Sequence, residues 1–246
     1  MFFGPRVTGL SIGFEQEPSE LGSIGELSDL HTVVVIPRSE RERASTDDSA
    51  YDLSFLSSCR KIVQLNVDSK PIRDLTPLAG LTRLQVLGIC SSQITDAGPL
   101  TSLTNLQQLD LSHSPLVDLA FVTRLKQLKI LGLQMTRVED LAPLAGLPDL
   151  ETLILRDTPV SDVKPLASLS NLKTLRLDGT RVTDLSPLAG LQQLERLSLS
   201  NTAVRDYTPL IGLRQSRELA VEKDSIDSEQ LERLKQALPN CRVRAI

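Results

Sequence analysis

The side chains with the most obvious chemical potential are seven aspartates that recur at intervals of 22 residues. A column of carboxylates could hold metal ions or exchange protons. Each aspartate, however, stands directly before an apolar residue that opens a turn, as in residues 184–188 (DLSPL). Aspartate at such a start accepts hydrogen bonds from free backbone N–H groups, so the spacing predicts a structural column in the turns. The column is Asp74, Asp96, Asp118, Asp140, Asp162, Asp184 and Asp206.

Other reactive side chains are few and scattered. The 2 histidines, His31 and His113, lie far apart in the sequence, and the 3 cysteines are equally dispersed. No phosphate-binding loop, G-x-S-x-G, H-E-x-x-H or C-x-x-C motif occurs. We therefore predict no enzyme activity, no cofactor and no metal site.

The same step of 22 residues governs the apolar positions. Within a unit, Leu169, Leu172, Leu175 and Leu177 follow the spacing L-x-x-L-x-x-L-x-L, and its closing L-x-L predicts a short strand with two side chains facing inward. A fixed short period indicates a solenoid, in which each unit buries its apolar face against its neighbours. One inward column is Leu65, Leu87, Leu109, Leu131, Leu153, Leu175, Leu197 and Leu219.

The segment after each strand is too short for a regular α-helix, and its proline suits a first helical turn. We expect short 3₁₀ turns on the convex side and a continuous parallel β-sheet on the concave side. The predicted fold class is therefore α/β, a curved horseshoe-shaped solenoid. In this frame Cys59 and Cys241 take core positions, with Cys241 in the column of Leu219, whereas Cys90 points outward.

These units resemble the leucine-rich repeats of the 22-residue bacterial type, known from internalins. The resemblance rests on residues 74–81, 140–147, 162–169 and 184–191 and covers at least residues 59–221. It implies a protein-recognition scaffold. The family usually has asparagine just after the strand, where its side chain forms a ladder between repeats. Hydroxyl residues replace it here, which predicts a thinner ladder: Ser92, Ser114, Thr136, Thr158, Thr180 and Thr202, with Lys70 breaking the pattern.

The whole chain, residues 1–246, is predicted to be a single domain. Residues 1–36 hold partial repeats and an N-terminal cap, and residues 37–50 form a charged insertion loop. Regular repeats fill residues 51–224, and residues 225–246 form a C-terminal cap. In that cap, Leu231, Leu234 and Leu238 share one face of an α-helix that Asp227 and Gln230 begin, and Cys241 to Val243 add a last strand.

Composition narrows the class of partner. The net charge is −4, no block of basic residues occurs, and aromatic residues make up 3% of the chain, so we expect no nucleic-acid binding. We see no signal peptide or membrane span. If Met1 is the native start, these features predict a cytoplasmic protein without membrane contact, and we expect a monomer.

The outward positions of the concave strands are the candidate binding surface. They divide into an apolar zone and a charged zone, a combination typical of protein-binding surfaces. The apolar zone comprises Val86, Cys90, Ile130, Met135 and Ile154. The charged zone comprises Arg156, Arg176, Asp178, Arg196, Glu218 and Glu222.

We therefore predict a non-catalytic module that binds a macromolecule, most simply a protein, through its concave face. One alternative is a regulatory subunit of an enzyme, as the resemblance to phosphatase-binding repeat proteins implies. A surface adhesin and an enzyme are weaker alternatives. The outward positions of the strands carry no aromatic side chain, which argues against an adhesin.

Overall fold

The structure, a computed structural model, describes residues 9–12, 31–35, 50–68, 71–90 and 92–245. The predicted N-terminal cap over residues 1–36 and the charged insertion over residues 37–50 fall mainly outside these ranges. Within them, eleven parallel strands form one sheet in the order of the chain. They are β1 (Gly9–Ile12), β2 (Thr32–Val35), β3 (Gln64–Asp68), β4 (Val86–Cys90), β5 (Gln108–Asp110), β6 (Ile130–Gly132), β7 (Thr152–Ile154), β8 (Thr174–Arg176), β9 (Arg196–Ser198), β10 (Glu218–Val221) and β11 (Arg242–Ala245).

Short 3₁₀ turns connect the strands on the side opposite the sheet, as predicted, because five residues or fewer cannot form a regular α-helix. Most of them carry proline in the first turn. They are Ser54–Ser58, Thr76–Leu78, Gly98–Ser102, Ala120–Arg124, Ala142–Gly146, Lys164–Ser168, Ser186–Leu188 and Thr208–Gly212. The predicted α/β solenoid of leucine-rich-repeat type is confirmed.

The inward leucines stack on one another from strand to strand. Leu131 pairs with Leu153 and Leu153 with Leu175, and none of the three is more than 1% exposed. Val33 pairs with Leu65, 32 positions on, so the inward column continues on the other side of the insertion. Because side chains in a strand alternate with period two, this register keeps every leucine of the column in the core.

The last strand departs from the predicted register. Leu219 pairs with Val243, 24 positions on, and Val221 pairs with Ala245. The prediction that Cys241 shares the column of Leu219 is therefore wrong, and Cys241 lies half-buried just before β11. The helical cap adds two residues to the spacing, and a shift of two leaves the same face of the strand inward.

The hydrogen bonds of the seven aspartates confirm the structural role predicted for them. Each carboxylate accepts the backbone N–H two residues further on, at 2.7–2.8 Å, for example Asp184 from Ser186. The aspartate stands one residue before the N-cap of the turn, so it fixes the entry to the turn rather than the cap itself. Asp52 does the same for Ser54 and extends the column by one repeat.

The hydroxyl column acts within each repeat and not between repeats. Thr136, Thr158, Thr180 and Thr202 are buried, and each hydroxyl donates to the carbonyl three residues earlier, at 2.6–2.8 Å. The predicted side-chain ladder is therefore wrong for these residues. Backbone groups join the repeats instead, as the N–H of Met135 donates to the carbonyl of Arg156 at 2.8 Å. Lys70 and its proposed break lie outside the described residues.

The C-terminal helix α1 (Ser228–Ala237) covers the end of the core, as predicted. Asp227 accepts the N–H of Gln230 at 2.7 Å, which caps its first turn. The Gln230 amide also joins α1 to the last repeat, where it accepts from the Tyr207 N–H and donates to the Arg205 carbonyl, both at 3.1 Å. Leu234 is buried beneath the helix. These contacts close the apolar end of the stack.

Five successive repeats, those of β5 to β9, each contain one residue in the left-handed backbone region, just after the strand. The φ angles are 61° at His113, 54° at Met135, 54° at Asp157, 69° at Gly179 and 55° at Asn201. Glycine, asparagine and aspartate tolerate this region, whereas a long side chain such as methionine is uncommon there. Among these five residues, Met135 is therefore the one whose backbone conformation costs the most conformational free energy.

Replacing Leu153 by aspartate should unfold the neighbouring repeats, because the substitution buries an unpaired charge at a fully buried site. We expect a loss of more than about 4 kcal/mol in the free energy of unfolding, measured by urea denaturation. The matched control is Thr152→Asp, next in sequence but on the outward face, which should change stability little. An unaltered denaturation midpoint for Leu153→Asp would contradict the register.

The aspartate column should make stability depend on acid pH. Hydrogen bonds from Thr76 and Thr208, side chain first and backbone second, hold the pKa values of Asp74 and Asp206 below the usual aspartate value. Their contribution is therefore complete above the unfolded pKa of about 3.9 and is lost as the pH falls through the lower folded values. The double variant Asp74→Asn/Asp206→Asn should lose less stability than the parent between about pH 5 and pH 2, measured by denaturant titration. Parallel curves would contradict this assignment.

Replacing Met135 by asparagine should stabilise the protein by several tenths of a kcal/mol to about 1 kcal/mol, because asparagine tolerates positive φ. The reciprocal change, Asn201→Met at the equivalent position, should cost a similar amount. Thermal melting of both variants tests the pair. A fall in the melting temperature of Met135→Asn would show that its side chain stabilises the fold.

Candidate functional site

The apolar zone forms one depression on the concave face. Four of its predicted residues, Val86, Cys90, Ile130 and Ile154, line a cavity of 390 Å³ that spans β3 to β7. Their side chains alternate with the buried leucines of the same strands and therefore face away from the core. A cavity of this volume, mainly apolar with a few polar groups, lies within the range of small binding pockets.

Two glycines give this depression its depth. A Cβ atom on Gly132 would lie 2.5 Å from the Asp110 Oδ1 atom, and one on Gly88 would lie 2.7 Å from the Asn66 Oδ1 atom. Each polar side chain belongs to the in-register residue of the preceding strand and lies over the glycine. Asn66 and Asp110 are not among the binding residues predicted from the sequence. The pairing of a polar residue with a glycine 22 positions on was the signal that could have found them.

Large apolar side chains are exposed at both ends of β6. Among the described residues, the large hydrophobic side chains that are exposed are Ile130 at 36%, Met135 at 51% and Val117 at 58%. Ile130 begins β6 and lines the depression, whereas Met135 lies three residues beyond the strand and outside the depression. Val117 belongs to a connecting segment away from the sheet. The exposed apolar surface of the sheet thus centres on β6.

Asp178 is one of the predicted binding residues, but its carboxylate is buried and makes contacts within the chain. It is only 7% exposed, and its Oδ1 atom accepts from the Ser198 hydroxyl and from the Ser200 N–H, the latter at 3.3 Å. Its Oδ2 atom lies 3.4 Å from the Arg156 Nε atom. Neither of these two atoms makes a hydrogen bond of good geometry, so the contact is an ion pair. Asp178 therefore positions Arg156, whose side chain remains 42% exposed.

The other two predicted acidic residues are also engaged within the chain. Glu218 forms an ion pair with Arg244 at 3.3 Å, and Glu222 accepts the backbone N–H of Asn201 at 2.6 Å. Arg176 and Arg196 are exposed, and neither forms an ion pair with any described residue. The charged zone contains both signs of charge in the sequence. Because its carboxylates are engaged within the chain, the side chains left to contact a partner are mainly arginines.

The two free arginines lie beside each other at a second, smaller depression. Arg176 and Arg196 line a cavity of 50 Å³ together with Glu218, and the small residues Ser198 and Ala220 form its floor. Guanidinium groups bind carboxylates and phosphates through paired N–H donors. This part of the concave face is therefore suited to an anionic group.

Among the residues that the structure describes, the side chains with nucleophilic or metal-binding capacity are not grouped. Cys59 is buried in the core, as predicted, and burial raises the pKa of its thiol. Burial first, and then the charge of Glu218, raises the pKa of Cys241. Across the described ranges, no three His, Cys, Asp or Glu side chains are arranged as metal ligands, and no helix has the length and hydropathy needed to cross a membrane.

Comparison with known proteins agrees with this architecture. Residues 82–124 and 170–212 match the family described as leucine-rich repeats in two copies. No curated protein sequence matches the chain. An internalin (inlF) of Listeria monocytogenes has a similar structure, with a TM-score of 0.80, 24% identity, and coverage of 90% of this chain and 62% of that one.

Two further solved structures extend the comparison. A leucine-rich-repeat protein of Leptospira interrogans aligns with a TM-score of 0.76 and 22% identity over 90% of this chain and 56% of that one. At such identities the likeness shows the fold. Internalin C2 of Listeria monocytogenes is 31% identical, with a TM-score of 0.65 over 66% of this chain and 72% of that one. The repeats and this relative place the chain among the internalin-like leucine-rich-repeat proteins.

Proposed function

We propose that this protein is a non-catalytic module that binds a protein partner on its concave face. The observation that carries the proposal is the grouping of outward-facing apolar side chains around one 390 Å³ depression, with unpaired arginines on the neighbouring strands. Apolar surface buried on association supplies the main driving force, and the arginines favour a partner of the correct charge. Leucine-rich-repeat proteins are generally interaction scaffolds, which supports the same conclusion.

The candidate binding surface is rigid, which favours binding. The outward residues stand on strands whose inward neighbours are buried, for example Leu131 and Leu153, which are 0% exposed. A preformed surface loses little conformational entropy when a partner binds. The costly backbone at Met135, combined with its 51% exposure, is consistent with a side chain retained for contact rather than for stability.

The proposal can be tested by affinity capture with matched charge substitutions. Ile130→Glu and Met135→Glu should each weaken binding of a captured protein at least about tenfold, because each places a charge in the apolar contact. Val117→Glu, at an exposed hydrophobic residue away from the sheet, should bind like the parent. Circular dichroism melting should be unchanged in all three variants.

The identities of the captured proteins separate the remaining alternatives. A partner enzyme whose turnover changes on binding would assign the module as a regulatory subunit. A partner without activity would assign it as a scaffold. If Val117→Glu abolishes capture while Ile130→Glu and Met135→Glu do not, the concave face is not the binding surface.

A further inference from the structure

We propose that the concave face recognises an extended acidic segment, with aspartate or glutamate at every second position, seated on a diagonal row of three arginines. The row, called here the arginine diagonal, consists of Arg156, Arg176 and Arg196. This inference rests on the proposed function, since it specifies the chemistry of the partner. The second depression and the free guanidinium groups carry it.

The register of the sheet places the three arginines in a line. Arg176 on β8 is in register with Ile154 on β7, and Arg156 lies two residues beyond Ile154. Arg196 on β9 is in register with Thr174, two residues before Arg176. Each arginine is therefore one strand over and two residues back from the previous one. A strand spacing of about 4.8 Å and a two-residue rise of about 6.6 Å give about 8 Å between neighbouring Cα atoms.

All three side chains leave the same face of the sheet, because a step of two residues preserves the face. Arg176 and Arg196 are exposed, and the Arg156 side chain is 42% exposed. The row therefore presents guanidinium groups at regular intervals along a path that crosses β7, β8 and β9 obliquely.

The local charge opposes that of the whole protein. The chain has a net charge of −4, yet few carboxylates neutralise this part of the sheet. Asp178 is buried against Arg156, and Glu218, the in-register neighbour of Arg196, is held by Arg244 at 3.3 Å. The guanidinium groups of Arg176 and Arg196 are left to pair with carboxylates from outside the chain.

The spacing favours an extended chain. In an extended peptide, alternate side chains lie on one side at intervals of about 6.6 Å, which the flexible arginine side chains can match to the diagonal. Neighbouring side chains on one face of an α-helix are only about 5–6 Å apart, and the helix itself is about 10–12 Å wide. The floor of Ser198 and Ala220 leaves a narrow cavity of 50 Å³, which suits a single carboxylate better than a helix.

The larger depression lies beside this path. Ile154 lines the depression, lies in register with Arg176 and stands two residues before Arg156 on the same strand. An acidic segment on the diagonal therefore passes the edge of the apolar cavity at Ile154 and does not cross it.

The test uses the full chain and a fluorescein-labelled peptide, Thr-Glu-Thr-Glu-Thr-Glu-Thr, followed by fluorescence anisotropy. The comparison peptide, Glu-Thr-Thr-Glu-Thr-Thr-Glu, has the same composition but places its glutamates three apart. We expect the alternating peptide to bind about fivefold more tightly. Arg176→Gln and Arg196→Gln should each weaken its binding by about threefold to fivefold, and raising the salt concentration from about 0.01 M to 0.15 M should weaken it further.

Arg124→Gln is the matched control, because it removes the same charge from an exposed residue of the turn Ala120–Arg124 on the opposite side. It should bind the alternating peptide like the parent. Equal binding of the two peptides, or no effect of Arg176→Gln and Arg196→Gln, would overturn the proposal. Binding of heparin that depends on both arginines, without binding of either peptide, would also overturn it and assign the row to an anionic polysaccharide.

These outcomes are distinct from failure of the proposed function. If the peptides fail while capture of a protein still depends on Ile130 and Met135, the concave face binds a partner of different chemistry. If neither the arginines nor Ile130 and Met135 affect any binding, both proposals are wrong.

Discussion

Burial of one leucine column against the next is the interaction on which the rest of this structure depends. A strand of three to five residues cannot persist alone, and a single unit cannot bury its own leucines. Stacking at a constant register buries the side chains of successive strands completely, as at Leu131, Leu153 and Leu175. Because each repeat depends on its neighbours, stability is distributed along the array and both ends require cover.

That dependence explains where polar groups are used. The aspartates bind backbone N–H groups at the entry to each turn, and the buried threonine hydroxyls donate to carbonyls just after each strand. Both sets of bonds shape a single repeat, whereas backbone hydrogen bonds of the sheet join one repeat to the next. At the C-terminal end, the amide of Gln230 takes over this task by bonding to Arg205 and Tyr207. The chemistry that first suggests metal binding or acid–base catalysis is thereby fully used by the fold.

Most outward positions are free of these constraints, and in the proposed function their variation sets the specificity for a partner. Glycine at two positions of one column makes room for Asn66 and Asp110 and deepens the apolar depression. Small residues Ser198 and Ala220 create the second cavity, beside two arginines that no described carboxylate neutralises. A sheet held rigid by its buried side presents both features in fixed relative positions, which lowers the entropy cost of binding a partner.

The period of 22 residues was sufficient to predict the solenoid fold, the inward leucine column and the structural role of the aspartates, because neighbouring repeats reinforce the same local pattern. The sequence also identified the apolar residues around the depression, since alternation in a strand decides which side chains face outward.

The register of β11 was missed because α1 adds two residues to the spacing, which only packing of the helix on the last repeat reveals. The threonine hydroxyls were predicted to form a ladder between repeats. In the folded chain each donates to a carbonyl of its own repeat, as Thr136 does to Leu133. In the charged zone, the sequence gives mixed charge, whereas the tertiary structure pairs Asp178 and Glu218 within the chain and leaves Arg176 and Arg196 free. Ion pairing depends on side-chain positions across strands that are distant in sequence, and only the folded chain brings those groups together.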